Sequence, residues 1–245
     1  FSDPAKVIHY MGEGFSEFTA LLYIPSTRPL EMQFGDPKFG PRLYINRVLI
    51  QENCEQLLPT YLRFVKGVVD CPDLPLNVSR ETLQDNPRLT RIQKNVTKNV
   101  LKALQELKDE DRESYLKFYA HLGDILKEGL PQDFDNHERI ADLLMFESVN
   151  TPRGEMISLT EYIEQMPDEQ EQIYYLTGER REVLEHTPYL EVFKDRGWDV
   201  LLLTEPIDEF VIPHLPEYQE RPLKAANEEK LDSDSSEDLE KTTEE

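Results

Sequence analysis

At 245 residues, 38% hydrophobic and 31% charged, the chain has room for one large domain or two small ones with a buried core. Its formal net charge of −22 argues against a nucleic-acid binder, because nothing overall would neutralise a phosphate backbone. No run approaches the roughly 18 apolar residues of a membrane helix. Cys54 and Cys71 stand 17 positions apart, with neither metal-ligand nor disulfide-framework spacing, so reduced thiols in a cytoplasmic protein are expected. The chain opens on Phe1-Ser2-Asp3-Pro4, with no signal-peptide pattern and no Met, and reads as a piece of something longer.

In chain order, residues 5–24 read as two strands joined by a turn at Gly12 and Gly14, the second ended by Pro25. A proline- and glycine-containing loop follows to Pro41, carrying Leu30, Met32, Phe34 and Phe39. Residues 43–50 read as one strong strand, and residues 55–64 as a short helix with a proline inside. The run Phe64 to Val69 is strand-like, and Asp73 to Gln84 is the strand-to-helix loop that follows it. In α/β proteins such loops tend to carry function. Pro75 holds its entry extended, and Asn77 or Ser79 can cap a short helical turn. Arg80 and Gln84 would then lie at i and i+4 and point the same way. Arg offers a planar fork of donors for phosphate or carboxylate, and Gln can orient a water or hold the Arg. The plainer reading is an exposed Arg80 paired with Glu81 or Asp85.

The spacing of Leu89, Ile92, Val96, Val100, Ala103 and Leu107 predicts an amphipathic helix over 87–108. Its opposite face carries Arg88, Arg91, Lys94, Lys98 and Lys102, expected as a solvated basic face. Further helices are expected over 111–128 and 137–146. Ser158-x-x-Glu161 is a capping box opening a helix to Met166. Strands are expected over 172–177 and 199–204, with helices over 180–186 and 189–195 between them and another from Glu205. From Asn227 onward nine acids stand against two lysines, which reads as an acidic tail or linker. The pattern is α/β (α+β). A larger part runs over 1–108, a helical connector over 109–148, a smaller α/β part over 149–225 and the tail over 226–245. No phosphate loop, nucleophile elbow or zinc motif is present, and the five histidines are scattered. Residue types alone reach a soluble α/β domain pair with one suggestive arginine loop; a passive protein-interaction module in which Arg80 is structural is the alternative to a catalytic role.

Three stretches carry a resemblance: Leu43-Tyr44-Ile45-x-Arg47-Val48-Leu49-Ile50; Leu58-Pro59-x-Tyr61-Leu62-x-Phe64-Val65-Lys66-Gly67-Val68-Val69-Asp70; and Asp73-Leu74-Pro75-Leu76-Asn77-Val78-Ser79-Arg80-Glu81-x-Leu83-Gln84. With Ile173-Tyr174-Tyr175-Leu176-Thr177-Gly178 and Val200-Leu201-Leu202-Leu203-Thr204, the chain resembles the middle domain of the heat-shock protein 90 chaperones, most of all their bacterial form. The resemblance implies two α-β-α sandwiches joined by a three-helix connector. It implies a homodimeric ATP-dependent chaperone, with ATP and Mg held by an N-terminal ATPase domain and dimerisation by a C-terminal domain. Arg80 would reach the ATP γ-phosphate, with Gln84, and Asn77 in support, holding the loop. Phe1, Leu30, Met32 and Phe34 would touch unfolded client proteins. The chain alone is expected neither to bind nor to hydrolyse ATP, and to take no metal, nucleic acid or membrane.

Overall fold

The computed structural model describes residues 3–12, 17–33, 38–74 and 86–228. They form two compact units, Phe1–Leu144 and Met145–Glu245.

In the first unit, β1 (Pro4–Gly12) pairs antiparallel with β2 (Phe18–Pro25), and β2 pairs antiparallel with β5 (Lys66–Asp70). Next to β5 lies β3 (Arg42–Ile45), parallel to it, and β4 (Val48–Gln51) closes the order β1-β2-β5-β3-β4. Side chains alternate along β2, so Phe18, Ala20, Leu22 and Ile24 are buried while Tyr23 is exposed. The buried face packs under α1 (Pro87–Glu110) and α2 (Arg112–Lys127). All six apolar positions of the expected stripe on α1 are buried. Asp111 caps α2 by accepting from Ser114 N at 3.1 Å, and Phe64 meets Phe118 edge-on at 5.3 Å. Two short helices follow, α3 (Gly129–Gln132) and α4 (His137–Leu143). A 3-10 turn over Leu30–Gln33 reaches β5 through a Glu31–Lys66 ion pair at 3.1 Å.

Three expectations change here. Residues 43–50 are a hairpin rather than one strand, because Asn46 and Arg47 both turn at positive φ (50° and 66°). The helix expected over 55–64 is two 3-10 turns, Glu55–Leu57 and Thr60–Leu62, interrupted at Pro59. Phe146 lies in a strand: α4 ends at Leu143, and Leu144 is already extended (φ −73°, ψ 142°).

The second unit is a six-stranded sheet, built from β6 (Met145–Ser148), β7 (Ile157–Ser158), β8 (Ile173–Thr177), β9 (Leu201–Leu203), β10 (Glu217–Tyr218) and β11 (Arg221–Ala225). Their order is β10-β11-β8-β9-β6-β7, with β8 parallel to both its neighbours. Leu201, Leu202 and Leu203 are all buried, as a strand covered on both faces requires. The capping box forms: Ser158 Oγ accepts from Glu161 N at 3.2 Å, and the Glu161 carboxylate accepts from Ser158 N at 2.7 Å, opening α5 (Leu159–Gln165). α6 (Arg181–Leu184) and α7 (Tyr189–Arg196) cross from β8 to β9, and Gly197 ends α7 at φ 68°. Trp198 stacks on Tyr174 at 5.7 Å over the core of Leu176, Leu190, Phe193 and Leu202. α8 (Asp208–Val211) follows β9.

Arg181 ties this unit together. It is 8% exposed, donates Nε to Glu185 at 2.7 Å and Nη2 to the Thr151 carbonyl at 2.5 Å, and sits 3.4 Å from Glu147. The buried charge is therefore paired and hydrogen-bonded.

Candidate functional site

Arg80, Gln84 and Asn77 lie outside the described residues, as do Phe1 and Phe34. The two ends of the stretch 75–85 are described, and they are built into the first unit. On the entry side, Leu74 is buried and its N–H donates to the Cys71 carbonyl at 3.2 Å; Cys71 N donates to Tyr44 O at 2.9 Å. The β3–β4 hairpin buttresses the same end: Arg47 N donates to the Asp70 carboxylate at 3.2 Å and Asn46 Nδ2 to the Pro72 carbonyl at 3.4 Å. Asp73 Oδ2 accepts from Glu17 N at 2.9 Å, just ahead of β2. On the return side, Asn86 caps α1 by accepting from Arg88 N at 2.9 Å, and Pro87 occupies the first turn. Arg88 Nη1 also donates to the Asp73 carbonyl. A packed sheet and a 24-residue helix thus hold both ends of the stretch that carries Arg80.

The Hsp90 protein family matches the chain over residues 1–245. The chain belongs to the Hsp90 family. Chaperone protein HtpG of Geobacter sulfurreducens is 50% identical over 227 residues, which cover 93% of this chain and 35% of that protein. Its counterpart in Paraburkholderia xenovorans is 45% identical over 248 residues, covering 99% of this chain and 39% of that protein. The middle domain of a Plasmodium falciparum heat shock protein superposes with a TM-score of 0.80 at 31% identity, covering 94% of this chain and 90% of that one. The chain therefore has the α-β-α architecture of an Hsp90 middle domain and spans little over a third of the length of the curated relatives it matches.

Of the apolar residues expected on this Hsp90 chain's surface, Leu30 is 67% exposed, while Met32 is half-buried, its N–H donating to the Pro29 carbonyl. Arg28 roots this turn on α2, gripping Asp124 through Nη2 at 2.5 and 2.6 Å. The structure adds positions that residue types did not single out: Phe210 on α8 and Phe134 just before α4 are each nearly four-fifths exposed. Phe210 opens a short apolar run with Val211 and Ile212 that reads as core, whereas Phe134 stands between Asp133 and Asp135. The basic face of α1 is not free of partners: Lys94 pairs with Asp135 at 2.8 Å, Lys102 with Glu106 at 3.6 Å, and Arg88 with the Asp73 carbonyl.

Cys54 and Cys71 are buried in the first unit and unpaired. Burial pushes both thiols up to about 12, from an ordinary value of 9.0. A raised folded-state pKa contributes stability below pH 9 that is lost as pH climbs toward 12. Urea midpoints are therefore expected to hold between pH 7 and 8.5 and to fall by pH 10.5. A Cys54→Ala/Cys71→Ala chain should show a shallower fall, and an equal slope would remove the thiols as the cause. Among the described residues no three His, Cys, Asp or Glu side chains gather as a cation site, and no helix is long and apolar enough to cross a membrane.

Proposed function

We propose that the chain is the middle segment of an ATP-dependent chaperone and serves it in two ways. It delivers Arg80 to the γ-phosphate of ATP held with Mg by the N-terminal domain, with Gln84 and Asn77 holding the stretch around it. It also offers apolar surface to non-native client proteins, through Phe1, Leu30, Met32 and Phe34, and through the exposed Phe210 and Phe134. The observation that supports the first role most is the anchored frame around residues 75–85: Leu74 buried, Asp73 bonded to Glu17 N, and Asn86 capping α1. An Arg supplied from a second domain neutralises charge in phosphoryl transfer, and it makes hydrolysis conditional on the domains closing. ATP is the substrate, and its pocket belongs to the N-terminal domain. The full-length protein is read as a cytoplasmic homodimer joined through its C-terminal domain.

The exposed Leu30, Phe134 and Phe210 also suit a second reading, an interaction module with no part in hydrolysis. Turnover by the N-terminal domain alone, compared with the same domain joined to this chain, separates the two. Joining is expected to raise the rate by at least about a hundredfold, while the chain alone shows none. Equal rates would leave only the client-contact role.

A further inference from the structure

A cleft of about 360 Å³ opens in the first unit between α1, the Thr60–Leu62 turn and the segment that joins α3 to α4. That volume is at the small end of ligand sites. Thr97 lines the cleft and is only 3% exposed, yet its hydroxyl bonds to nothing among the described residues. One turn earlier on the same face of α1, the Gln93 amide also makes no hydrogen bond among the described residues. A buried hydroxyl without a partner costs stability, and a valine would fill the same space without that cost. Folding therefore gives no reason for a hydroxyl at Thr97. A ligand does.

The charged groups of the cleft are already answered. Asp133 accepts from Tyr61 Oη at 2.7 Å, from Asn136 Nδ2 at 2.9 Å and from Asn136 N at 3.2 Å. Asp135 is paired with Lys94 at 2.8 Å. An anion would face Asp133, and among the described residues no third carboxylate, His or Cys joins the two acids to hold a metal ion. What remains open is neutral: the Thr97 hydroxyl and the Gln93 amide can each donate and accept. Gln132 adds a donor, because Thr60 Oγ1 holds its Oε1 at 2.6 Å and leaves Nε2 to point elsewhere. Pro59 supplies apolar wall. We propose that this cleft binds a small neutral polyhydroxyl compound, a sugar or polyol of about six carbons. Each hydroxyl of such a ligand both donates and accepts, as do the groups that meet it, and its C–H surface covers Pro59.

The test titrates the full-length protein, as wild type, Thr97→Val and Gln93→Leu, with glucose, sorbitol and glucose 6-phosphate, reading saturation transfer by NMR and Tm. Glucose or sorbitol is expected to bind wild type with a Kd on the order of 1 mM, the modest affinity of so small a ligand. The ring and the open chain tell a sugar site from a linear-polyol site. Thr97→Val and Gln93→Leu should each weaken binding about fivefold, the loss of one hydrogen bond, with Tm unchanged or raised. No transfer to either neutral probe in wild type, or the same Kd in all three proteins, would overturn the site. Glucose 6-phosphate binding more tightly than both neutral probes would overturn the neutral ligand. A lower Tm in Thr97→Val would also count against it, since the hydroxyl would then serve the fold.

Discussion

Gly67→Ala is expected to destabilise the first unit by about 3 kcal/mol or more, through two named causes. Gly67 lies in β5, between β2 and β3, with φ at 145°, a conformation L side chains rarely adopt. An added Cβ would also stand 2.2 Å from the Leu21 carbonyl oxygen and 2.8 Å from Leu22 Cα. Both are backbone atoms of the paired strand, so neither can swing aside, and the β2–β5 ladder would have to open. Gly154 provides the contrast: φ is 82°, but nothing lies within 4 Å of its Cβ position. Gly154→Ala bears the conformational penalty alone and should cost about 1 kcal/mol. Urea unfolding of the two variants measures the difference. A Gly67 variant no less stable than the Gly154 variant would mean that β2 and β5 yield at little cost.

Much of the architecture was legible where one physical signal dominates. The 3.6-residue stripe from Leu89 to Leu107 is the buried face of α1, and the capping box at Ser158 and Glu161 forms with both of its bonds. The all-apolar Leu201-Leu202-Leu203 run lies in the middle of its sheet. What escaped has a common cause. The β3–β4 and β10–β11 hairpins turn on Asn46-Arg47 and Gln219-Glu220, all four residues at positive φ and none of them glycine. Tertiary pairing holds these turns, and no local turn code announces them. For Asn46-Arg47 the partners are visible in the Pro72 carbonyl and the Asp70 carboxylate.

The candidate site divides in the same way. Arg80 stands out because a donor fork in a strand-to-helix connection has obvious chemistry, and because the residues around it resemble the Hsp90 family. Arg88 reads in the sequence as one more member of a solvated basic face. Its bond to a carbonyl 15 residues earlier belongs to the folded chain alone. Phe210 and Phe134 escaped for the opposite reason, since apolar residues near helix ends are expected in the core and here face outward.

The largest effect on activity is expected at Arg80. An arginine that meets charge developing on the γ-phosphate acts in the transition state far more than on bound nucleotide, so its loss should appear in turnover and spare affinity. Removing one such donor costs at least about a hundredfold in rate. A residue that only braces its own connection would show the reverse, a lower Tm with little change in rate at folded temperatures. The decisive measurement is steady-state ATP turnover by the full-length protein, wild type against Arg80→Ala, with nucleotide affinity determined in parallel. Turnover lower by about a hundredfold at unchanged affinity is the expected result; equal turnover by the two proteins would contradict it.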